Sequence, residues 1–314
     1  ADNHGFVMKA MTEAPNAEAA ANAPAPVFTP KNAPLKTVHG DGALGVQGEN
    51  FEMLFSVGAG GPTSLVVNGK EWLWRAPRIA FWRASTENDC GCGFPGKSAV
   101  WSAVDAWQKC TGREVLEETA EAVTVRYHFS ADIMPNLNAH VTYRVTAEGK
   151  MEVSVHYEGK AGRPQLPLLG LRFSTPWPVE KTAWVGLSGE TYPDRMKGSH
   201  FGAHEEVPHI APYLVPQECG NHMNTYSTVF TIGDGSLTLE KADAPYAFSA
   251  IPYTPAQLEQ AMHRDELPAP CRTVVTVCGK MRGVGGIDTW MTDVEPKFHV
   301  SAEEDIDFSF FIHL

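Results

Sequence analysis

Several things are scarce in this chain, and each shortage removes a class of protein. No run approaches the roughly eighteen apolar residues that a membrane-crossing helix requires. Basic residues are few: 25 Lys and Arg stand against 37 Asp and Glu, a formal charge of -12. That balance speaks against a nucleic-acid footprint and against a polybasic membrane surface. Six cysteines in 314 residues are too few for a disulfide scaffold. Cys90 and Cys92 are one residue apart, the other four are scattered, and no CxxC pair occurs, so neither a zinc knuckle nor a redox motif is supported. Reduced thiols in a cytoplasmic protein are the expectation. Helical signals are sparse too, whereas eight tryptophans and 23 prolines suit a β-rich, loop-rich chain.

Residues 1–34 are dominated by alanine and proline, with Pro24, Pro26, Pro30 and Pro34 closely spaced. Asp2 precedes the first basic residue, Lys9, and no apolar run of the signal-peptide kind follows, so export is not expected. Such a tract has little to bury and is expected to be disordered or extended, with the folded part starting near Leu35.

From there apolar residues recur with period two. Phe51, Met53, Phe55 and Val57 alternate with Glu52, Leu54 and Ser56. Residues 65–74 read as two short strands around an Asn68-Gly69 type I′ turn. Val123, Val125, Tyr127 and Phe129 share one face. Val141, Tyr143 and Val145 lead through Glu148-Gly149 into Met151, Val153, Val155 and Tyr157, a second hairpin. Ile306, Phe308, Phe310, Ile312 and Leu314 alternate to the last residue, which predicts a strand inside the sheet. Two brief helices are expected. One spans residues 98–109, with Ser98 as its cap and Trp101, Val104 and Trp107 as its apolar stripe. The other starts at Thr254-Pro255 with a capping box to Gln257. Many strands and no βαβ rhythm predict an all-β fold, a large antiparallel sandwich. Residues 35–160 and 165–314 would serve as halves, but no flexible linker divides them, so 35–314 is read as one domain.

The stretch Arg282-Gly283-Val284-Gly285-Gly286-Ile287-Asp288-Thr289-Trp290 is the strongest candidate for binding. Its glycines permit backbone angles and close approaches that a side chain forbids. Trp290 offers a broad apolar face with one polar N–H, which suits the face of a sugar ring. A tight turn followed by a core tryptophan fits the same residues. Asp288 is read as fixing the loop more than touching sugar. Nothing in the loop is a nucleophile or a base.

Other clusters are less specific. His200, His204, Glu205 and His209 have a metal-like spacing, but Gly202 and Pro208 interrupt any helix that would gather them, so they read as surface histidines. Glu190 and Asp194 are placed to pair with Arg195, as a structural clamp or a hydroxyl-binding rim, and Glu218 sits in a similar polar stretch. Glycoside hydrolysis needs two facing carboxyl groups, roughly 5–5.5 Å apart for retention and roughly 6.5–9.5 Å for inversion. Glu87, Asp89, Glu190, Glu218 and Asp288 are candidates, yet sequence spacing pairs none of them across a cleft.

Residues 81–89, Phe-Trp-Arg-Ala-Ser-Thr-Glu-Asn-Asp, resemble the signature that opens the C-terminal domain of the large LacZ-type bacterial β-galactosidases. Leu166 through Phe173, Glu190 through Arg195, Pro216-Gln217-Glu218 and the 282–290 loop follow in that family's order. The wording at 186–195 and 285–288 is closer to the small subunit of the two-subunit enzymes, in which the polypeptide is split. Cys219 departs from the usual asparagine, and residues 1–34 lie outside the resemblance. The resemblance implies a supersandwich fold of the galactose-mutarotase kind. It also implies that the catalytic glutamates and the magnesium ligands lie on a large TIM-barrel subunit, with no catalytic residue, metal or cofactor in this chain. Trp290 would then stack on the sugar, and the loop from Cys90, Gly91, Cys92 and Gly93 to about Ser98 would shift as substrate moves inward. The expected substrates are terminal β-galactosides such as lactose, hydrolysed or transgalactosylated. Two alternatives remain at this point: a stand-alone sugar mutarotase or epimerase, and a non-catalytic carbohydrate-binding module.

Overall fold

The computed structural model describes residues 26–288 and 291–314. The first five strands, β1 (Lys36–Gly40), β2 (Ala43–Gly48), β3 (Phe51–Ser56), β4 (Gly61–Val67) and β5 (Lys70–Glu71), form a consecutive antiparallel meander. Asn68 and Gly69 both take positive φ between β4 and β5, as a type I′ turn requires. The second strand of that hairpin is shorter than residues 70–74 suggest. Glu71 Oε1 accepts from the backbone N–H groups of Leu65, Trp72 and Leu73; Trp72 N–H still reaches the Leu65 carbonyl, but the Leu65 N–H that would complete that pair is taken by the carboxylate.

After β6 (Arg78–Ala80) come two helices, α1 (Glu87–Gly91) and α2 (Phe94–Trp107). α2 begins four residues before Ser98. Gly93, at φ 71, turns the chain into the helix, and Pro95 in the first turn is pre-set for it. Ser98 instead donates to the Gln165 carbonyl from inside the helix, Trp101 and Val104 are buried, and Trp107 is 77% exposed. The apolar stripe therefore ends one turn earlier than expected.

The strands β7 (Lys109–Glu118), β8 (Ala122–Ala131), β9 (Met134–Thr146) and β10 (Lys150–Tyr157) follow as a meander. Next are β11 (Leu168–Ser174), β12 (Lys181–Leu187), β13 (Phe201–Glu206), β14 (Asn221–Thr225), β15 (Ser227–Ile232) and β16 (Gly235–Lys241). The chain closes with β17 (Tyr246–Ile251), a short helix α3 (Pro255–Gln260), β18 (Val274–Met281) and β19 (Ile306–His313). α3 carries the capping box foreseen from Thr254 and Gln257.

Nine strands form the large sheet in the order β13-β12-β15-β16-β19-β10-β9-β8-β7, and β14-β17-β18-β11-β6 form a third sheet. Every pairing between these strands is antiparallel. The last strand, β19, lies between β16 and β10, so the C-terminus is internal to the sheet. One face of β8, β9 and β10 is buried through Val125, Tyr127, Val141, Tyr143, Val153 and Val155, and the main core cluster takes residues from all three sheets. The architecture is all-β and multi-sheet with few, short helices.

Residues 26–34 have no regular secondary structure but are not detached. Lys31 donates its N–H to the Glu148 carbonyl at 2.8 Å, and the Phe28 ring meets His313 edge-on at 4.9 Å.

Candidate functional site

Residues 81–89 leave β6 extended and enter α1 through a reciprocal cap. The Thr86 hydroxyl accepts from the Asp89 N–H at 3.1 Å, and Asp89 Oδ2 accepts from the Thr86 N–H at 2.9 Å. Asp89 is 2% exposed and stands between two equally buried arginines. Arg83 donates to it from Nη1 at 2.6 Å and from Nη2 at 3.3 Å, and Arg282 donates from Nη1 at 3.0 Å. Arg282 also donates to Asp293, and its guanidinium lies 3.9 Å over the Phe94 ring. Two positive and two negative groups thus close a neutral cluster, buried except at the half-buried Asp293, as burial of charge demands. Burial works against the Arg83 charge, but the Asp89 carboxylate outweighs it and holds the guanidinium pKa above its ordinary value. Burial likewise opposes ionisation of Asp293, and Arg282 reverses that, pulling the carboxyl down.

Arg282 opens the glycine loop, and the loop's backbone is claimed almost group by group. Val284 and Gly285 donate their N–H groups to the two Asp194 oxygens at 3.0 and 2.8 Å. Arg195 Nη2 donates to the Gly286 carbonyl at 3.0 Å, and Asn88 Nδ2 donates to the Gly285 carbonyl at 2.9 Å. Gly283 donates to the Phe298 carbonyl. The glycines are needed for closeness: a Cβ on Gly285 would lie 1.7 Å from Arg195 Nη2. Gly286 has φ +64, and a Cβ there would meet the Thr292 carbonyl at 2.5 Å. Asp288 accepts from the Thr292 hydroxyl at 3.0 Å. Trp290 itself, with Thr289, lies outside the described residues.

The 90–93 turn lies against Met291 and Asp293, which follow this loop in the chain. A Cβ on Gly91 would meet Met291 at 2.9 Å, and Cys92 Sγ is 3.4 Å from the Asp89 carbonyl and 3.7 Å from Asp293. Cys90 is exposed, and its thiol is pushed up by burial of its base and by Asp89. Beside the turn, Phe94, Lys97, Ser98, Asp293 and His299 line an open cavity of about 580 Å³.

The acidic candidates divide by their partners. Asp194 pairs with Arg195 at 3.3 Å, but Glu190 does not: its carboxylate accepts from the Gly220 N–H at 2.8 Å and the Tyr213 hydroxyl at 3.1 Å. Next in the chain to Glu218, Gln217 accepts from the Glu87 N–H at 3.1 Å, bringing the 216–218 segment to α1. Glu218 is buried near Arg83 and Arg172. Burial raises its pKa to about 7 against the pull of both arginines. Glu218 lines a cavity of about 10 Å³, which is too small for a sugar. Asp89, Asp194 and Glu190 are committed to structural partners. Among the described residues, no group of three or more His, Cys, Asp or Glu side chains is placed to hold a metal. His204 lies on the edge strand β13 with its Nε2 near the His200 carbonyl.

Residues 83–89 and 194–195, far apart in sequence, and the following residues 292–298 therefore converge on one loop, and what they build is a held surface rather than an acid–base pair. Sequence reasoning missed the parts played by Asn88, Arg83, Arg282 and Asp293. The available signal was a single arginine in each of two motifs, Arg83 within 81–89 and Arg282 at the head of 282–290.

The fold and this site define an all-β protein in which Asp89, Asp194 and Glu190 are taken up by structural partners. The chain belongs to the β-galactosidase small chain family, whose model matches residues 47–312. It is 42% identical over 311 residues to the β-galactosidase small subunit of Latilactobacillus sakei, covering 89% of this chain and 98% of that one. It is 34% identical to a β-galactosidase of Streptococcus thermophilus over 90% of this chain, but spans only 28% of that longer protein. A β-galactosidase of Halalkalibacterium halodurans matches alike, at 35% identity and 28% of its length. Among solved structures, a galactose mutarotase-like protein of Lactobacillus casei superposes with TM-score 0.47 at 13% identity, over 89% of this chain and 99% of that one.

Proposed function

We propose that this chain completes the active-site mouth of a two-subunit β-galactosidase that hydrolyses and transgalactosylates terminal β-D-galactosides such as lactose. The nucleophile, the acid/base glutamate and magnesium belong to a large TIM-barrel subunit in this reading. The carrying observation is the loop at 282–288, whose backbone is fixed by Asp194, Arg195, Asn88 and Arg83. A loop held so tightly is a platform for its neighbours in sequence. Trp290 supplies the sugar-facing surface, Asp288 fixes the turn, and Cys90, Gly91, Cys92 and Gly93 form the adjoining loop. Glu190 and Glu218 brace the segments behind. The six free cysteines favour a reducing, cytoplasmic setting. Residues 35–314 act as one domain.

Trp290→Ala in the assembled enzyme tests the site. Loss of a ring-face anchor weakens substrate or acceptor-sugar binding by roughly 1–3 kcal/mol, with transfer to a second sugar hit harder than hydrolysis. Unchanged kinetics for both reactions would make Trp290 a bystander.

A further inference from the structure

The outward face of the nine-stranded sheet carries a polar groove of about 560 Å³ that shares no lining residue with the 282–288 loop. β8, β9, β10 and β19 lie side by side there, and their register aligns the outward side chains in two rows. One row is His128, His140, His156 and Asp307, each the cross-strand partner of the next. The other is Arg126, Thr142, Ser154 and Ser309, aligned in the same way. Asp243 from the turn after β16 and Lys280 from β18 stand on the walls.

The floor is rich in donors, with carboxylates beside them. The His140 ring lies 5.8 Å from that of His128 and 4.7 Å from that of His156, with Arg126 among its electrostatic neighbours. Asp307 sits 2.8 Å from His156, and Glu114 sits 3.3 Å from His128. Arg126 uses Nε on the Thr142 hydroxyl at 3.0 Å, and among the described residues it has no ion-pair partner. His140 has no hydrogen-bond partner among them either. Its pKa is pushed down to about 4 by burial and by Arg126, His156 and His128, so at neutral pH it is an uncharged imidazole with an N–H to give. A guanidinium, an imidazole and an ammonium thus point donors into one half-buried groove, in a chain whose net charge is -12.

The Arg126 guanidinium, with no carboxylate paired to it among the described residues, is open to an anion, and a guanidinium fork matches phosphate oxygens. The Ser154 and Ser309 hydroxyls, with the Asp307 and Asp243 carboxylates at the rim, supply the mixed donors and acceptors that sugar hydroxyls need. The volume suits a ligand of monosaccharide size. We propose that this groove binds a small phosphorylated sugar, with Arg126 on the phosphate and the serine and aspartate side chains on the hydroxyls.

Titration calorimetry on the full chain tests this with galactose 6-phosphate, inorganic phosphate and galactose as probes. Saturable binding of the phosphate ester is expected, with weaker binding of inorganic phosphate and none of galactose over the same range. Arg126→Gln is expected to weaken ester binding about tenfold or more without lowering the melting temperature. Independently of any variant, the ring resonances of His140 and His156 should shift with the ester and stay still with galactose. Failure to saturate, galactose binding as tight as the ester, or unaltered affinity in folded Arg126→Gln overturns the assignment. Inorganic phosphate binding as tightly as the ester overturns its sugar half.

Discussion

Replacing Asp89 by asparagine strikes the buried cluster behind the glycine loop while keeping the side chain's shape. Asp89 accepts from Arg83 Nη1 and Nη2, from Arg282 Nη1, and from the N–H and hydroxyl of Thr86. Asparagine has one acceptor oxygen and one NH2. Whichever way the amide turns, it aims donors either at a guanidinium or at the Thr86 N–H. The charge balance also fails, because the one carboxylate bonded to both buried arginines is gone. Breaking a buried pair by removing one partner costs about 3–5 kcal/mol. Urea unfolding should show that loss as a lower midpoint with an unchanged slope. Adding Arg83→Met to Asp89→Asn removes the uncompensated charge and should recover part of the stability. A single-variant loss below about 1 kcal/mol, or no recovery in the double variant, would refute this account of the cluster.

Glu218 links stability to pH. Its folded pKa, about 7, is raised above the ordinary carboxyl value, so the folded state holds the proton longer. The stability this contributes is full below about pH 4.5 and is lost as pH rises through about 7. Glu218→Gln should therefore flatten that slope and raise stability at pH 8 by on the order of 2–3 kcal/mol, read from unfolding midpoints across the range. An unchanged slope would show that Glu218 does not titrate there. Deleting residues 308–314 should abolish the cooperative melt, because Phe310, Ile312 and Leu314 are buried and β19 is laddered on both sides. A truncated chain that still melts cooperatively would contradict the placement of β19.

Much of the strand pattern is written locally. The alternation in residues 123–129, 141–145 and 151–157 announces which face is buried, and positive-φ residues at 68–69 and 149 mark turns by chemistry alone. Strand order is not local. Nothing in residues 306–314 says that they pair with β10 on one side and β16 on the other, since period-two patterning gives a face and no partner. The site shows the same divide. Its segments were recognisable one by one, but Asp194 reaches Gly285 across 91 residues, and no spacing rule predicts that bond. Glu190 shows the hazard of reading neighbours as partners. Arg195 is close in sequence, yet Glu190 turns to Gly220 and Tyr213 while Asp194 takes the arginine. The cap at Ser98 failed for a more local reason, since Gly93 and Pro95 together offer an earlier entry to the helix.

The central claim is that this chain shapes a sugar site whose chemistry lies elsewhere. Turnover of a chromogenic β-galactoside tests it most directly, measured for the rigorously purified chain alone, for a large β-galactosidase subunit alone, and for the two mixed. The account predicts no appreciable turnover by this chain alone and a rise in activity that saturates as it is titrated into the large subunit. Turnover by the isolated chain, or a large subunit indifferent to its addition, would contradict it.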